Sequence, residues 1–155
     1  MGFSLEVRTT DLKDVATVWQ AALERRGIRT EFKPGLTINE NGGIVIVKVI
    51  EAPAHLVGVD LKQTVAAYFE SWVDEEGVGF NSASGRSAVD FAIQCLCAAA
   101  LAEHTGAEYF DPQMDEGARG ADAYRLAVDE IESFLSDPNN PSPYRSFVDW
   151  ETINL

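Results

Sequence analysis

Carboxylates carry most of the chemistry this chain could do. From Glu103 to Glu151 twelve of them stand against three arginines, which puts −9 of the net charge of −13 into the last third of the sequence. A field of that sign repels nucleic acid and anionic lipid and attracts cations and basic proteins. Asp115, Glu116, Asp122, Asp129, Glu130 and Glu132 share one loop and the following helical segment, and are the expected partner-binding residues. Asp111, Asp115 and Glu116 form a loop cluster that could hold a divalent cation. They lack the twelve-residue calcium loop with its central Gly and terminal Glu, so no metal and no cofactor is expected.

A second candidate is Asn81-Ser82-Ala83-Ser84-Gly85-Arg86-Ser87, small hydroxyl residues with one arginine leading into a helix. Ser84, Arg86 and Ser87, with His104, could form an anion or ligand site, because backbone N–H groups and a cation gather at such a start. The segment is neither a phosphate loop nor a nucleophile elbow. Ordinary capping and an Arg86–Asp90 pair at i, i+4 explain it more simply. Cys95 and Cys97 lie in the most apolar segment with no His nearby to lower a thiol pKa, and read as buried structural residues. His55 and His104 are the only histidines. No catalytic motif is present.

The elements that must position these residues follow from periodicity. Phe3 to Arg8 alternates as a strand. Asp11 reads as the N-cap of a helix carrying Leu12, Val15, Val18, Trp19, Ala22 and Leu23, stopped at Gly27. Ile28–Lys33 and Ile44–Ile50 read as strands joined through a turn at Asn39-Glu40-Asn41-Gly42-Gly43. Leu61, Val65, Tyr68, Phe69 and Trp72 recur at helical spacing, and a helix is expected there, although aromatic and β-branched residues also permit a strand. Residues 84–105 form the core helix, with Ala92, Leu96, Ala99 and Ala100 facing a sheet. Glu108-Tyr109-Phe110 is a short strand, Gly117–Gly120 a linker, and Tyr124, Val128, Ile131 and Phe134 mark a last amphipathic helix.

This order predicts an α+β fold, a two-layer sandwich of split βαβ type. An antiparallel-rich sheet would carry helices on one face plus an appended C-terminal helix. Residues 1–135 form the single domain. Residues 136–155 are a Pro/Asn-rich linker and an aromatic tail, with Tyr144, Phe147 and Trp150 on one side of a short helix begun by Ser142-Pro143, docking on the domain or a partner. At 155 residues and 46% hydrophobic content the chain can bury one core. Its longest apolar stretches fall well short of the roughly 20 residues of a membrane span. No signal-peptide pattern is visible and the two cysteines cannot bridge within a helix, so a cytoplasmic protein is expected.

Residues 98–113, Ala-Ala-Ala-Leu-Ala-Glu-His-Thr-Gly-Ala-Glu-Tyr-Phe-Asp-Pro-Gln, resemble a recurrent segment of small bacterial α+β proteins, in which an Ala-rich helix ends at Thr-Gly and a strand closes on Asp-Pro-Gln. Some of those families resemble immunity proteins of contact-dependent or secreted toxin systems. The resemblance covers about a tenth of the chain and carries over no active-site residue. What it implies, with the charge, is a non-enzymatic binding protein, most concretely an immunity-type inhibitor of a basic toxin such as a nuclease. The alternatives are a small enzyme or metabolite binder with a pocket near Asn81–Ser87 and His104, and a structural protein whose tail seals a homodimer.

Overall fold

The structure is a computed structural model that describes residues 2–36, 38, 41–137 and 144–151. Its strands are β1 (Phe3–Val7), β2 (Arg29–Phe32), β3 (Gly43–Glu51), β4 (Val65–Asp74), β5 (Gly77–Ser82), β6 (Tyr109–Asp111), β7 (Glu116–Ala118) and β8 (Arg145–Ser146). Its helices are α1 (Val15–Arg25), α2 (Ala54–Val57), α3 (Ala88–Thr105) and α4 (Ala121–Leu135). The fold is α+β, with one antiparallel sheet in the order β2-β3-β4-β5-β1-β6-β7 and helices on one of its faces. The connection through α1 carries the chain from β1, inside the sheet, to β2 at its edge. Strands β3, β4 and β5 then return as a meander.

Segment 61–74 corrects the expected helix, since residues 65–74 are strand β4. Its inward residues Val65, Ala67, Phe69 and Ser71 are buried at period two, and Ser71 Oγ donates to the Gly79 carbonyl (2.8 Å). Two of the outward residues, Tyr68 and Trp72, are aromatic too, which imitates a helical stripe. Trp72 lies flat over Gly79, where a Cβ would come within 2.2 Å of the indole, so only glycine fits beneath it.

Trp19 of α1 is fully buried and meets Phe32, Phe69 and Phe80 at ring-centroid distances of 5.8, 5.8 and 6.0 Å. Asp11 is not the cap of α1: its carboxylate accepts from the Lys13 N–H, and Asp14 takes the N-cap place with a left-handed φ of 53°. Helix α3 is buried without a break from Ala88 to Ala102, between the sheet and helices α1 and α4. Its alanines let those neighbours approach closely, so no single stripe stands out. The residues expected as a linker at 117–120 begin inside β7, which pairs with β6. The turn expected at 39–43 falls partly on residues 39 and 40, outside the described residues, but β2 and β3 do pair.

Residues 142 and 143, where a tail helix was expected to begin, also lie outside the described residues. Beyond them Arg145–Ser146 is strand, paired with Val65–Ala66 of β4. Asp90, 1% exposed at the third position of α3, ties this strand to the body. Its Oδ2 accepts from the Ser87 N–H (2.9 Å) and Arg145 Nη2 (2.8 Å), and its Oδ1 from the Tyr68 N–H (3.1 Å). The Tyr68 N–H falls where β4 has passed β8 and not yet met β5, so the carboxylate supplies the acceptor the ladder lacks. Asp90 therefore pairs with Arg145, while Arg86 turns back to Ser82.

Candidate functional site

A cavity of about 430 Å3 opens between α4, the β6–β7 hairpin and the start of α3. Helix α4 presents Leu126, Asp129, Glu130, Ser133 and Phe134 to it, spaced three and four apart and so on one face. Phe3 and Phe91 make the floor with Phe134, and the Phe91 and Phe134 rings stack at 4.4 Å and 8°. The hairpin adds Asp111, Gln113, Met114 and Glu116, and Arg86 stands at one side. With Asp137, five carboxyl groups and one guanidinium surround an aromatic floor.

Local sequence explains the hairpin. Asp111 is 1% exposed and ends β6, and its Oδ1 accepts from the Gln113 N–H (2.8 Å), Gln113 Nε2 (2.5 Å) and the Met114 N–H (3.3 Å). Gln113 also behaves like a strand partner of β1: its Oε1 accepts from the Ser4 N–H (2.8 Å) and its Nε2 donates to the Ser4 carbonyl (2.7 Å). Asp115 closes the turn with a φ of 54°.

Behind the cavity lies a network of titratable groups. The Tyr109 hydroxyl donates to Glu130 Oε1 (2.8 Å), and buried Cys95 faces the same hydroxyl. Among the described residues the buried Glu130 Oε2 receives no hydrogen bond, and the Asp111 carboxyl lies close to the Glu130 side chain. Two carboxylates in that arrangement cannot both ionise cheaply, and a proton on Glu130 Oε2 turns repulsion into a donated bond. Burial, reinforced by Asp111, lifts the Glu130 pKa to about 8. Burial also pushes Tyr109 and Cys95 well above their ordinary values, so neither is ionised near neutral pH and Cys95 is no nucleophile.

The residues expected from the sequence divide clearly. Glu116, Asp129 and Glu130 line the cavity, and Asp115 sits at the exposed hairpin turn beside them. Asp122 is exposed and paired with Arg125 at 2.8 Å, and Glu132 projects about 200° around α4 from Glu130. Of the ligand candidates only Arg86 reaches the cavity. Its Nε donates to Ser82 Oγ (2.9 Å). Ser87 is buried as the N-cap of α3, in a reciprocal capping box with Asp90, and Ser84 is an exposed turn residue. His104 is exposed in the last turn of α3, about 24 Å along the helix from its first residue, Ala88, at 1.5 Å per residue, and Arg86 precedes that start. An Arg86–His104 pocket is therefore not formed. Tyr109 and the phenylalanine floor were not among the expected site residues, and Asp111 was expected only in a loop cluster with Asp115 and Glu116. Positions 109 and 111 share a strand face, which was readable; their meeting with Glu130 was not.

No family model, curated protein or solved structure matches this chain. The site must therefore be read from its own chemistry. Among the described residues no group of three or more His, Cys, Asp and Glu side chains is arranged to hold a metal ion. None of the described helices is long and apolar enough to cross a membrane.

Proposed function

We propose that this chain is a non-enzymatic binding protein for a basic protein partner, most concretely an immunity-type inhibitor of a basic toxin such as a nuclease. The observation that carries the reading is the cavity itself: an aromatic floor ringed by Asp111, Glu116, Asp129, Glu130 and Asp137. Acidic groups at a rim steer a basic surface and speed association, and an apolar floor supplies desolvated contact once it arrives. An inhibitor of that kind would offer its carboxylates where the toxin holds phosphate. The volume also lies within the range of small-molecule sites, which favours an organic cation as the second reading.

The test has two steps. Proteins captured by the chain from its native host are purified singly, and the activity of each is measured with and without the chain. Association rates are then compared for the parent, for Glu116→Lys with Asp129→Lys, and for Glu132→Lys, which lies away from the cavity. Inhibition of a basic protein, with an on-rate that falls in added salt and in the cavity pair but far less in Glu132→Lys, supports the reading. A partner that is neutral or acidic, or a rate indifferent to salt and to both variants, overturns it.

A further inference from the structure

What a group entering the cavity beside α4 can touch is decided by exposure. Phe3, Leu126 and Phe134 line it and are half-buried, so their carbon atoms still meet solvent. Asp111 is 1% exposed, and Glu130 has one oxygen bonded to Tyr109 and the other buried. The floor is therefore apolar to an incoming side chain, and accessible charge lies at the mouth. We propose that the cavity receives one large aromatic side chain of the basic partner, flanked in the partner's sequence by Lys or Arg that settle on Glu116 and Asp129. The inference deepens the reading of a basic partner and rests on it.

Three observations converge on that occupant. The floor is already a file of rings: Phe3 meets Phe91 at 4.7 Å and Phe91 stacks on Phe134 at 4.4 Å, so one more ring extends a favourable arrangement. The volume, about 430 Å3, is that of a small-molecule site and admits the bulkiest side chains. Met114, on the hairpin beside this floor, is 65% exposed, and among the described residues the other large hydrophobic side chains left exposed are Ile44 and Val148. An unbranched thioether can fold over an inserted ring and pack its sulfur against it. Finally, Glu116 on β7 and Asp129 on α4 stand exposed on two walls and form no ion pair among the described residues. Arg86, the cation of the lining, is turned to Ser82 by its Nε (2.9 Å) and Nη2 (3.3 Å), which leaves the carboxylates to set the sign of the mouth.

Anchor and flanks contribute differently. The ring supplies affinity by leaving water for a walled apolar site, and the flanking cations supply speed and orientation that salt can screen. A cation on the floor itself would lose its water and find no accessible carboxylate there. A second copy of this chain carries the same net charge of −13 and would be repelled, so the occupant is a different, basic chain.

The probe is the N-acetyl, C-amidated peptide Lys-Trp-Lys, compared with Lys-Ala-Lys and Glu-Trp-Glu. The readout is the NMR spectrum of the protein isotopically labelled in its two methionine methyl groups, Met1 and Met114. Lys-Trp-Lys should move the Met114 methyl upfield through the ring current, and should bind about tenfold more tightly than either control. Added salt should weaken this binding without changing the shift of the bound methyl. Ser133→Trp, at an exposed position of α4 that lines the cavity, should fill it with a ring of its own and abolish the response to the probe. Its far-UV circular dichroism should stay that of the parent. Lys-Ala-Lys binding as tightly as Lys-Trp-Lys would overturn the inference and leave the basic-partner reading standing. Glu-Trp-Glu binding as tightly would overturn it and count against that reading too. A Met114 methyl unmoved by about 20 mM Lys-Trp-Lys, or undiminished binding by folded Ser133→Trp, would also overturn the inference. The association rates of the charge reversals at Glu116 and Asp129 would then still decide the basic-partner reading.

Discussion

Replacing Asp90 by Asn should destabilise the protein more than any single change at its surface. The carboxylate accepts three hydrogen bonds at a position 1% exposed, joining the start of α3, the middle of β4 and the tail strand. Asparagine keeps one acceptor, enough for the Tyr68 N–H. Its amide nitrogen then points a donor at the Ser87 N–H and at Arg145 Nη2, which are donors themselves. Loss of the cap interaction costs about 1 kcal/mol, and leaving a buried charge without its ion-pair partner costs about 3–5 kcal/mol, an upper bound for the Arg145 guanidinium that stays behind. Arg145 is about a third exposed and can turn partly to water, so the expected total is about 3–4 kcal/mol. Urea unfolding followed by tryptophan fluorescence and by far-UV circular dichroism would measure it. Ser87→Ala should lose about 1 kcal/mol and Arg145→Met about 1–3 kcal/mol. The Asp90→Asn, Arg145→Met double variant should lose less than the sum of its parts, because the two residues share one interaction. A loss below about 1 kcal/mol in Asp90→Asn would show that this carboxylate does not hold the three elements together.

Three further outcomes are expected. Glu130 carries a pKa raised above its unfolded value of about 4.3, so the folded state holds the extra proton. Stability should be full below about pH 4–5 as far as this group is concerned, and should fall as pH rises towards 9, by about 2–3 kcal/mol after allowance for partial exposure. Glu130→Gln should remove that slope in urea titrations between pH 5 and 9. Leu96→Ala, at a fully buried site, should cost about 2–5 kcal/mol in the same assay, and a loss under about 0.5 kcal/mol would contradict its packing. Electrophoretic mobility of duplex or single-stranded nucleic acid should be unchanged by the protein at physiological salt, given a net charge of −13, and a salt-sensitive shift would refute this.

What the sequence revealed and concealed follows from which residues carry two constraints at once. Helix α3 was readable because Ser87, an apolar run and Gly106 mark its start, body and stop, and the structure gives Gly106 a φ of 72° at the C-cap. The Asp-Pro-Gln of the resembling segment has concrete work: Asp111 closes the hairpin turn and Gln113 clamps it to β1. Strand β4 was hidden because both of its faces are covered. Tyr68 lies under the Arg145 guanidinium (4.6 Å) and Trp72 lies on Gly79, so only Glu70 and Asp74 are left to mark the polar half of the alternation. The candidate site was half visible. The density of acid pointed to Glu116, Asp129 and Glu130, but their pairing with Asp111 and Tyr109 depends on how α4 packs beside β6. That is a tertiary fact with no short-range signal.

The two thiols turn this architecture into a pair of clocks. Cys95 and Cys97 are both fully buried, and as neighbours at i and i+2 they point about 200° apart on α3. Cys95 faces the Tyr109–Glu130 side, which α4 covers, and Cys97 does not share that neighbourhood. An alkylating reagent reaches either sulfur only when the layer around it opens. Detachment of α4 would therefore modify Cys95 alone, and global unfolding would modify both at one rate. The ratio of the two labelling rates reads how far the acidic helix breathes independently of the sheet, with no probe added to the chain.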